Sequence, residues 1–396
     1  MAYTSYWPPR IPGFSVSRWG PGSQHKVAQK EKQEDFEPFI PPSVEDILDD
    51  DEDRSPVDEE PMKAVQNQTF QVRPKERMLT LRPYRFRQSK NSWKHIEPSG
   101  MRDELREKSF GGDNTRHISQ IRIITWNVDM ASKFPEERLS EALRHIEEDV
   151  LQCKEDQEPE PCCILLQEVK DSMLPYLLKD SWVRRWFVVA PFTKDKWPEG
   201  AWYGNVTLIS RSIEIAECHI LHYGFSAQQR TALCVKIKLN PKGSQEKVVL
   251  SIVNTHLESL PTGAPLRPKQ LELASRFLRL QSVVGGIIAG DMNAISPEDV
   301  TIASDLGLRD SWRRGDLDTG NTWGYQGQNA GNYPPNRLDK IYYLPDAGYK
   351  VEEPKRIGMG IKVREDEDDA VWVSDHYGLE TTLRMNKGKS NSTSSE

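Results

Sequence analysis

Cysteine is scarce. The five in 396 residues form an odd set without regular spacing, which argues against a disulfide framework and for a reducing compartment. Cys162 and Cys163 are neighbours in an apolar run, so in a strand they face opposite sides and cannot act as one ligand pair. All five read as small buried apolar residues. Cysteine and histidine are not clustered at zinc-ligand spacing, which disfavours zinc. No apolar run reaches the roughly 18 residues of a membrane span, and the start Met1-Ala2-Tyr3-Thr4-Ser5-Tyr6 lacks the apolar stretch of a secretory signal. The expected location is intracellular, in nucleus or cytoplasm. A basic excess is also missing: the net charge is -7 and the pI near 5.8. Nucleic acid is therefore not held by bulk charge, and any such contact must be local. There is no Gly-x-Ser-x-Gly elbow for a serine hydrolase and no internal repeat.

What is present falls into four stretches. Residues 1–72 are rich in Pro, Ser and acid, with the run Asp49-Asp50-Asp51-Glu52-Asp53; such a segment buries too little apolar surface to offset its chain entropy and is expected to be disordered. In 73–118 the sign inverts. Arg73, Lys75, Arg77, Arg82, Arg85, Arg87, Lys90 and Lys94 interleave with Leu79, Leu81, Tyr84, Phe86 and Trp93. This is either a phosphate-facing arm, cations on phosphates and rings on bases, or an extended arm laid over the domain by its aromatics. Residues 119–386 carry the regular patterns of a folded domain, and 387–396 a polar, disordered tail.

Within 119–386 the pattern is an alternation of strands and helices. Pro135 to Gln152 predicts a helix with Leu139, Leu143, Ile146 and Val150 on one face. Strands are expected at Ile121–Asn127, Cys163–Glu168, Tyr203–Ser210, Ile213–Ile220, Thr231–Leu239, Lys247–Thr255, Ile287–Gly290, Leu338–Tyr343 and Gly378–Leu383. Hairpin connections mixed with helical crossovers predict an α/β fold with two mixed sheets face to face and helices outside.

The run Ile287-Ile288-Ala289-Gly290 ends in Asp291-Met292-Asn293. It reads as a buried strand delivering polar side chains to the rim of a sheet, and alone it could equally be an Asx turn. Four other apolar runs end likewise, at Asn127, at Glu168, at His256 and at Asp375-His376. Turns do not need a carboxylate, an amide or a histidine at so many strand ends, whereas a site for a metal and a phosphate does. A hard cation such as Mg²⁺, or Mn²⁺, takes oxygen ligands, a role that Glu168 and Asn127 fit. Asp291 and Asn293 can hold an attacking water, and His256 and His376 can serve the developing oxyanion if protonated, with Asp339 as a carboxylate that favours the imidazolium. Structural alternatives stay open: Asn127 as a cap, His256 as a core histidine, Asp375 as a turn former.

Thr125-Trp126-Asn127, Leu166-Gln167-Glu168, Thr255-His256-Leu257-Glu258-Ser259, Gly290-Asp291-Met292-Asn293, Arg337-Leu338-Asp339 and Ser374-Asp375-His376, in this order, resemble the endonuclease/exonuclease/phosphatase superfamily. Within it the likeness is greatest to the 5′-tyrosyl-DNA phosphodiesterase branch. The resemblance implies a four-layer α/β/β/α sandwich and Mg²⁺-dependent phosphodiester hydrolysis on DNA or protein-linked DNA 5′ ends. RNA, lipid or small-molecule phosphoesters, or a catalytically silent binding module, are the alternatives. By position it implies Glu168, Asn127 and Asp375 around the metal, with Asp291, Asn293, His256, His376 and Asp339 in catalysis. Trp126, Ser259 and Trp323 would bind substrate. The chain departs from that branch at Leu260-Pro261, where the branch tends to Thr and Arg, and at Ala294-Ile295-Ser296, where it carries Leu-Arg.

Overall fold

The computed structural model describes residues 76–98, 117–313, 317–364 and 370–387. The acid-rich stretch 1–72 and the tail beyond Lys387 lie outside the described residues. In chain order the strands are β1 (Arg77–Thr80), β2 (Tyr84–Arg87), β3 (Ser92–His95), β4 (Gln120–Asn127), β5 (Cys162–Lys170), β6 (Phe187–Ala190), β7 (Tyr203–Ser210), β8 (Glu214–His222) and β9 (Thr231–Leu239). They continue as β10 (Val248–His256), β11 (Gly286–Asp291), β12 (Arg309–Asp310), β13 (Asp339–Tyr343), β14 (Tyr349–Val351), β15 (Lys355–Ile357), β16 (Lys362–Val363), β17 (Val371–Trp372) and β18 (Gly378–Met385).

Two large sheets result. One runs β14-β18-β4-β5-β7-β6-β2-β3, with β15 also on β18; the other runs β1-β8-β9-β10-β11-β13-β12. Each is mixed: β4 and β5 are parallel, as are β10 and β11, while β9–β10 and β5–β7 are antiparallel. Alternation along single strands shows the layering. Ile287 and Ala289 of β11 join the core between the sheets, and Ile288 between them joins a second core. That second core is shared with helix α4 (Arg267–Arg276) through Leu271, Leu273 and Ala274. Adjacent residues of a strand point to opposite faces, so a strand apolar at both is covered on both sides. On the other flank, α1 (Pro135–His145), α2 (Leu174–Lys179) and α3 (Ser181–Trp186) cover the nine-stranded sheet with Leu139, Leu143, Leu177 and Val183. The order is helix, sheet, sheet, helix, the expected four-layer sandwich.

Several elements differ in detail from the sequence expectation. The helix from Pro135 keeps α geometry only to His145 and continues as a π turn over Ile146–Val150. A 3₁₀ turn over Asp171–Met173 leads into α2, and α3 and β6 were not anticipated. The basic and aromatic segment is woven into both sheets: β1 pairs with β8, and β2 with β3 and β6. Its anchors are Leu81 and Phe86, both buried.

Candidate active site

The two sheets bring one end of their central strands together. Asn127 closes β4, His256 closes β10, Asp291 closes β11, Asp339 opens the antiparallel β13, and His376 lies two residues before β18. The parallel β10–β11 register sets His256 opposite Asp291, and β11–β13 sets Asp291 opposite Asp339. Gly290 permits this: at φ 144, a Cβ on it would fall 1.8 Å from the Thr255 carbonyl oxygen of the neighbouring strand. Glu168 arrives by another device. The β5–β7 register shifts between Leu166 and Val169, and Glu168 takes φ 57, so a bulge turns its side chain out of the ladder. Asn254 braces that bulge from the opposite sheet, its amide donating to the carbonyls of Leu166 (3.1 Å) and Val206 (3.0 Å) while its oxygen accepts from Gln167 Nε2 (2.8 Å). A buried amide satisfied this fully fixes the spacing of the sheets beneath the site.

Asp291 is the centre of the polar network. Its Oδ1 accepts from the Asn293 backbone N–H (2.9 Å), and its Oδ2 accepts from Asn127 Nδ2 (3.1 Å) and faces His256 Nε2 at 3.3 Å and His376 Nε2 at 3.8 Å. Burial alone would raise this carboxyl; the two imidazoles outweigh it and hold it well below the usual carboxylate range. The histidines differ in what they can do. His376 places Nδ1 2.8 Å from Asp339 Oδ2. Against the penalty of burial, Asp339, Asp375 and Asp291 raise its pKa well above that of free histidine, making it an imidazolium. His256 instead has its Nδ1 2.9 Å from Arg230 Nη1. A guanidinium only donates, so Nδ1 must accept and the ring proton sits on Nε2, toward Asp291. The two histidines thus differ in the group that orients them, Arg230 for His256 and Asp339 for His376.

Three carboxylates gather on the other side of Asn127. Glu168 Oε2 accepts from the Met130 N–H (3.0 Å), and Glu168 Oε1 is 3.9 Å from His256 Nε2. Asp129 accepts at Oδ1 from the N–H groups of Ala131 (2.8 Å) and Ser132 (3.2 Å). Asp375 accepts from Trp323 Nε1 (3.1 Å). Its carboxyl is pushed up to about 6, first by burial and further by the carboxylates of Asp129 and Glu168, with His376 opposing. Beneath them the buried guanidinium of Arg138 donates to the carbonyls of Val128 (2.8 Å), Val373 (2.8 Å), Lys133 (2.9 Å), Ser132 (3.2 Å) and Asp129, tying both acidic loops to α1. Asp291, Asp339 and His376 also lie within 4.8 Å of one another, but an imidazolium has no lone pair to offer a cation. The oxygen-rich group on the Asn127 side is the one suited to a hard metal.

The sequence-derived substrate residues divide. Trp323 borders Asp375 and packs toward the exposed Tyr333, ring centroids 6.1 Å apart. Ser259 is bound to Gln228, which donates from Nε2 to Ser259 Oγ at 2.6 Å, and Gln228 in turn accepts from Arg230. Trp126 does not face substrate and is corrected: it is 0% exposed, its ring packs on Gly358 and Gly378, and its Nε1 donates to the His376 carbonyl (3.0 Å). Its neighbour Asn127 takes the site side, so alternation sends Trp126 to the other. Arg230, which also lies over the Tyr203 ring at 5.6 Å, was missed, because it sits in a connection without local pattern. Asp129 was missed as a site residue, although it follows Asn127 by two.

The four-layer sandwich thus gathers these acids and histidines at one end of both sheets. The sequence profile of the Endonuclease/Exonuclease/phosphatase family matches residues 124–376, and the chain belongs to that family. Among solved structures it resembles TDP2 from Caenorhabditis elegans at 20% identity, covering 67% of this chain and 74% of that one, with a TM-score of 0.52. It also resembles D. rerio TDP2 complexed with single strand DNA product, at 20% identity, 67% and 100% coverage and a TM-score of 0.51. At such identities the likeness is one of fold. No curated protein matches the sequence.

Proposed function

We propose that the chain is a Mg²⁺-dependent phosphodiesterase in which water attacks phosphorus in line, acting on DNA or protein-linked DNA 5′ ends. The observation that carries the reaction is Asp291, a buried carboxylate pinned by Asn127 and Asn293 between two histidines. A carboxyl held so low is a weak base, so its part is to orient the attacking water, with Asn293 beside it. His376 and His256 meet the negative charge that grows on the non-bridging oxygens, one as a full cation and the other as an N–H dipole. Asp339 keeps the first charged, and Arg230 keeps the second in the donating tautomer. Asn127, Glu168 and Asp375, joined by Asp129, would hold the metal. The raised Asp375 carboxyl supports this fit, because oxygen ligands crowded enough to repel one another are what a divalent cation relieves. When bound, Mg²⁺ supplies Lewis-acid polarisation of the phosphoryl group.

The DNA substrate is supported by the resemblance to TDP2, by Trp323 at the rim, and by the Tyr203–Arg230 pair beside His256, a ring and a cation suited to an aryl ester of phosphate. Among the described residues no helix is long and apolar enough to cross a membrane. The test is hydrolysis by purified protein with Mg²⁺ across 5′-tyrosyl DNA, abasic DNA, RNA and phospholipid headgroup substrates. Turnover confined to RNA or headgroups would reject the substrate, and binding of all without turnover would support a silent module.

A further inference from the structure

Two charged groups buried behind His256 lie close to each other without touching. Glu258, two residues past His256, is 3% exposed, and Arg230 is 5% exposed. Among the described residues neither forms a direct ion pair, and each is met by neutral groups. Glu258 Oε2 accepts from Ser226 Oγ (2.8 Å) and from Gln270 Nε2 of α4 (3.1 Å), and its Oε1 accepts from the Gln228 N–H (2.9 Å). The same two loop residues turn to Arg230. Ser226 Oγ accepts from the Arg230 N–H (2.7 Å), and Gln228 Oε1 accepts from Arg230 Nη2 (3.2 Å). Arg230 Nη1 then reaches His256 Nδ1 at 2.9 Å and the Tyr203 hydroxyl at 3.2 Å. One carboxylate therefore grips the turn 226–230 at two points, and that turn carries the guanidinium that orients the histidine. The chain is built closely around this side chain: a Cβ on Gly263 would fall 2.9 Å from both Cβ and Cγ of Glu258.

Glu258 also ties the loop after β10 to α4, because Gln270 Oε1 accepts from its backbone N–H (2.9 Å). A brace needs only hydrogen bonds, and burying a charge to make them adds a desolvation cost. The charge has a use if a buried cation answers it, and Arg230 is that cation, on the far side of Ser226 and Gln228. Both charges reach the Tyr203 hydroxyl: burial raises its pKa most, Arg230 lowers it, and Glu168 and Glu258 raise it. We propose that Glu258 is a positioning residue for the hydrolysis: relayed through Ser226 and Gln228, its carboxylate answers the charge of Arg230 and fixes the side chain that keeps His256 Nδ1 an acceptor and Nε2 turned toward Asp291. The effect on turnover rests on the phosphodiesterase reading, whereas the effect on the imidazole does not.

The test compares wild type, Glu258→Gln, Arg230→Met and the double variant, with Ser226→Ala as a milder cut of one arm of the relay. Michaelis kinetics are measured with Mg²⁺ on a 5′-tyrosyl oligonucleotide. The ring nitrogens of His256 are followed by ¹⁵N NMR of histidine-labelled protein without substrate, assigned against His256→Gln. Glu258→Gln should lower kcat by about 10- to 100-fold, as for the loss of an outer partner that orients a ligating imidazole, with KM near wild type. The double variant should be no slower than Arg230→Met, since two residues acting through one chain do not add. His256 Nδ1 should appear as an unprotonated nitrogen in wild type and gain a proton in Glu258→Gln. A Glu258→Gln protein that melts lower but keeps both kcat and the Nδ1 signal would make Glu258 a brace for α4 and overturn the proposal. Losses that multiply in the double variant would overturn it too. If Glu258→Gln does not fold, Ser226→Ala gives the same two readouts, and an unchanged Nδ1 signal there overturns the relay. A wild type without turnover would reject the reaction reading alone, because the Nδ1 signal is read without substrate.

Discussion

Replacing Asp339 by asparagine removes one negative charge and leaves the shape of the side chain almost intact. The charge removed is the one 2.8 Å from His376 Nδ1, and both groups are buried, so solvent screens little of the loss. An opposite charge at this range moves a pKa by about 1 to 3 units, or about 1.4 to 4 kcal/mol at 1.36 kcal/mol per unit. In the wild type the His376 pKa is raised. Its imidazolium, and the stability it contributes, are fully present below the ordinary histidine value and are lost as pH rises through the higher folded value. The variant should therefore lose activity on the alkaline side about 1 to 3 units earlier than wild type. Its melting deficit should be greatest near pH 6 and shrink as pH rises. The assay is kcat against pH with saturating Mg²⁺ on a 5′-phosphodiester, with a melting curve at each pH to confirm that the variant is folded. An alkaline limb that does not move, in a folded Asp339→Asn protein, would refute the role of Asp339 and the imidazolium with it.

Asp291→Asn should lower kcat by about 10²-fold, as for a misplaced reactant, while leaving KM near wild type, because its contribution is made mainly in the transition state; Michaelis kinetics check this. Trp323→Ala should instead raise KM by the equivalent of about 1 to 3 kcal/mol, and Trp323→Phe, which keeps a ring but not the N–H to Asp375, should recover much of it. Asp375→Asn should raise the melting temperature at neutral pH, by the equivalent of about 1 to 3 kcal/mol, and weaken Mg²⁺ binding measured by calorimetry. A carboxyl raised to about 6 costs stability as pH climbs from the ordinary aspartate range through that value, so the gain should vanish below about pH 4.

The parts of the site that sequence could show are those written locally. An apolar run ending in Asp-x-Asn, or in a lone His, marks a strand end whatever lies around it, and the order of such ends carried the fold class as well. Trp126 was assigned to substrate by its place beside Asn127, although period-two alternation already sends the two to opposite faces. Arg230 shows the opposite limit. It lies 26 residues before His256 in a turn, and only the β9–β10 pairing brings it onto the imidazole. Neither α3 nor β6 was anticipated, and Phe187–Ala190 follows α3 directly with no turn residue to mark a boundary. The basic segment hid β1 to β3, since alternating cations on strands at or next to a sheet edge look the same as charges on an arm.

The central claim is that three carboxylates and an asparagine at the strand ends hold the metal on which phosphodiester hydrolysis depends. The measurement is the rate of hydrolysis of a 5′-tyrosyl oligonucleotide against free Mg²⁺, from chelator to saturation, for wild type and Glu168→Gln. The account predicts no turnover in chelator and saturable activation of the wild type. It predicts a folded Glu168→Gln protein with most turnover lost at every Mg²⁺ concentration, because only the charge at the bulge has gone. Wild-type turnover that persists in chelator, or a Glu168→Gln protein that matches wild type at saturating Mg²⁺, would contradict it.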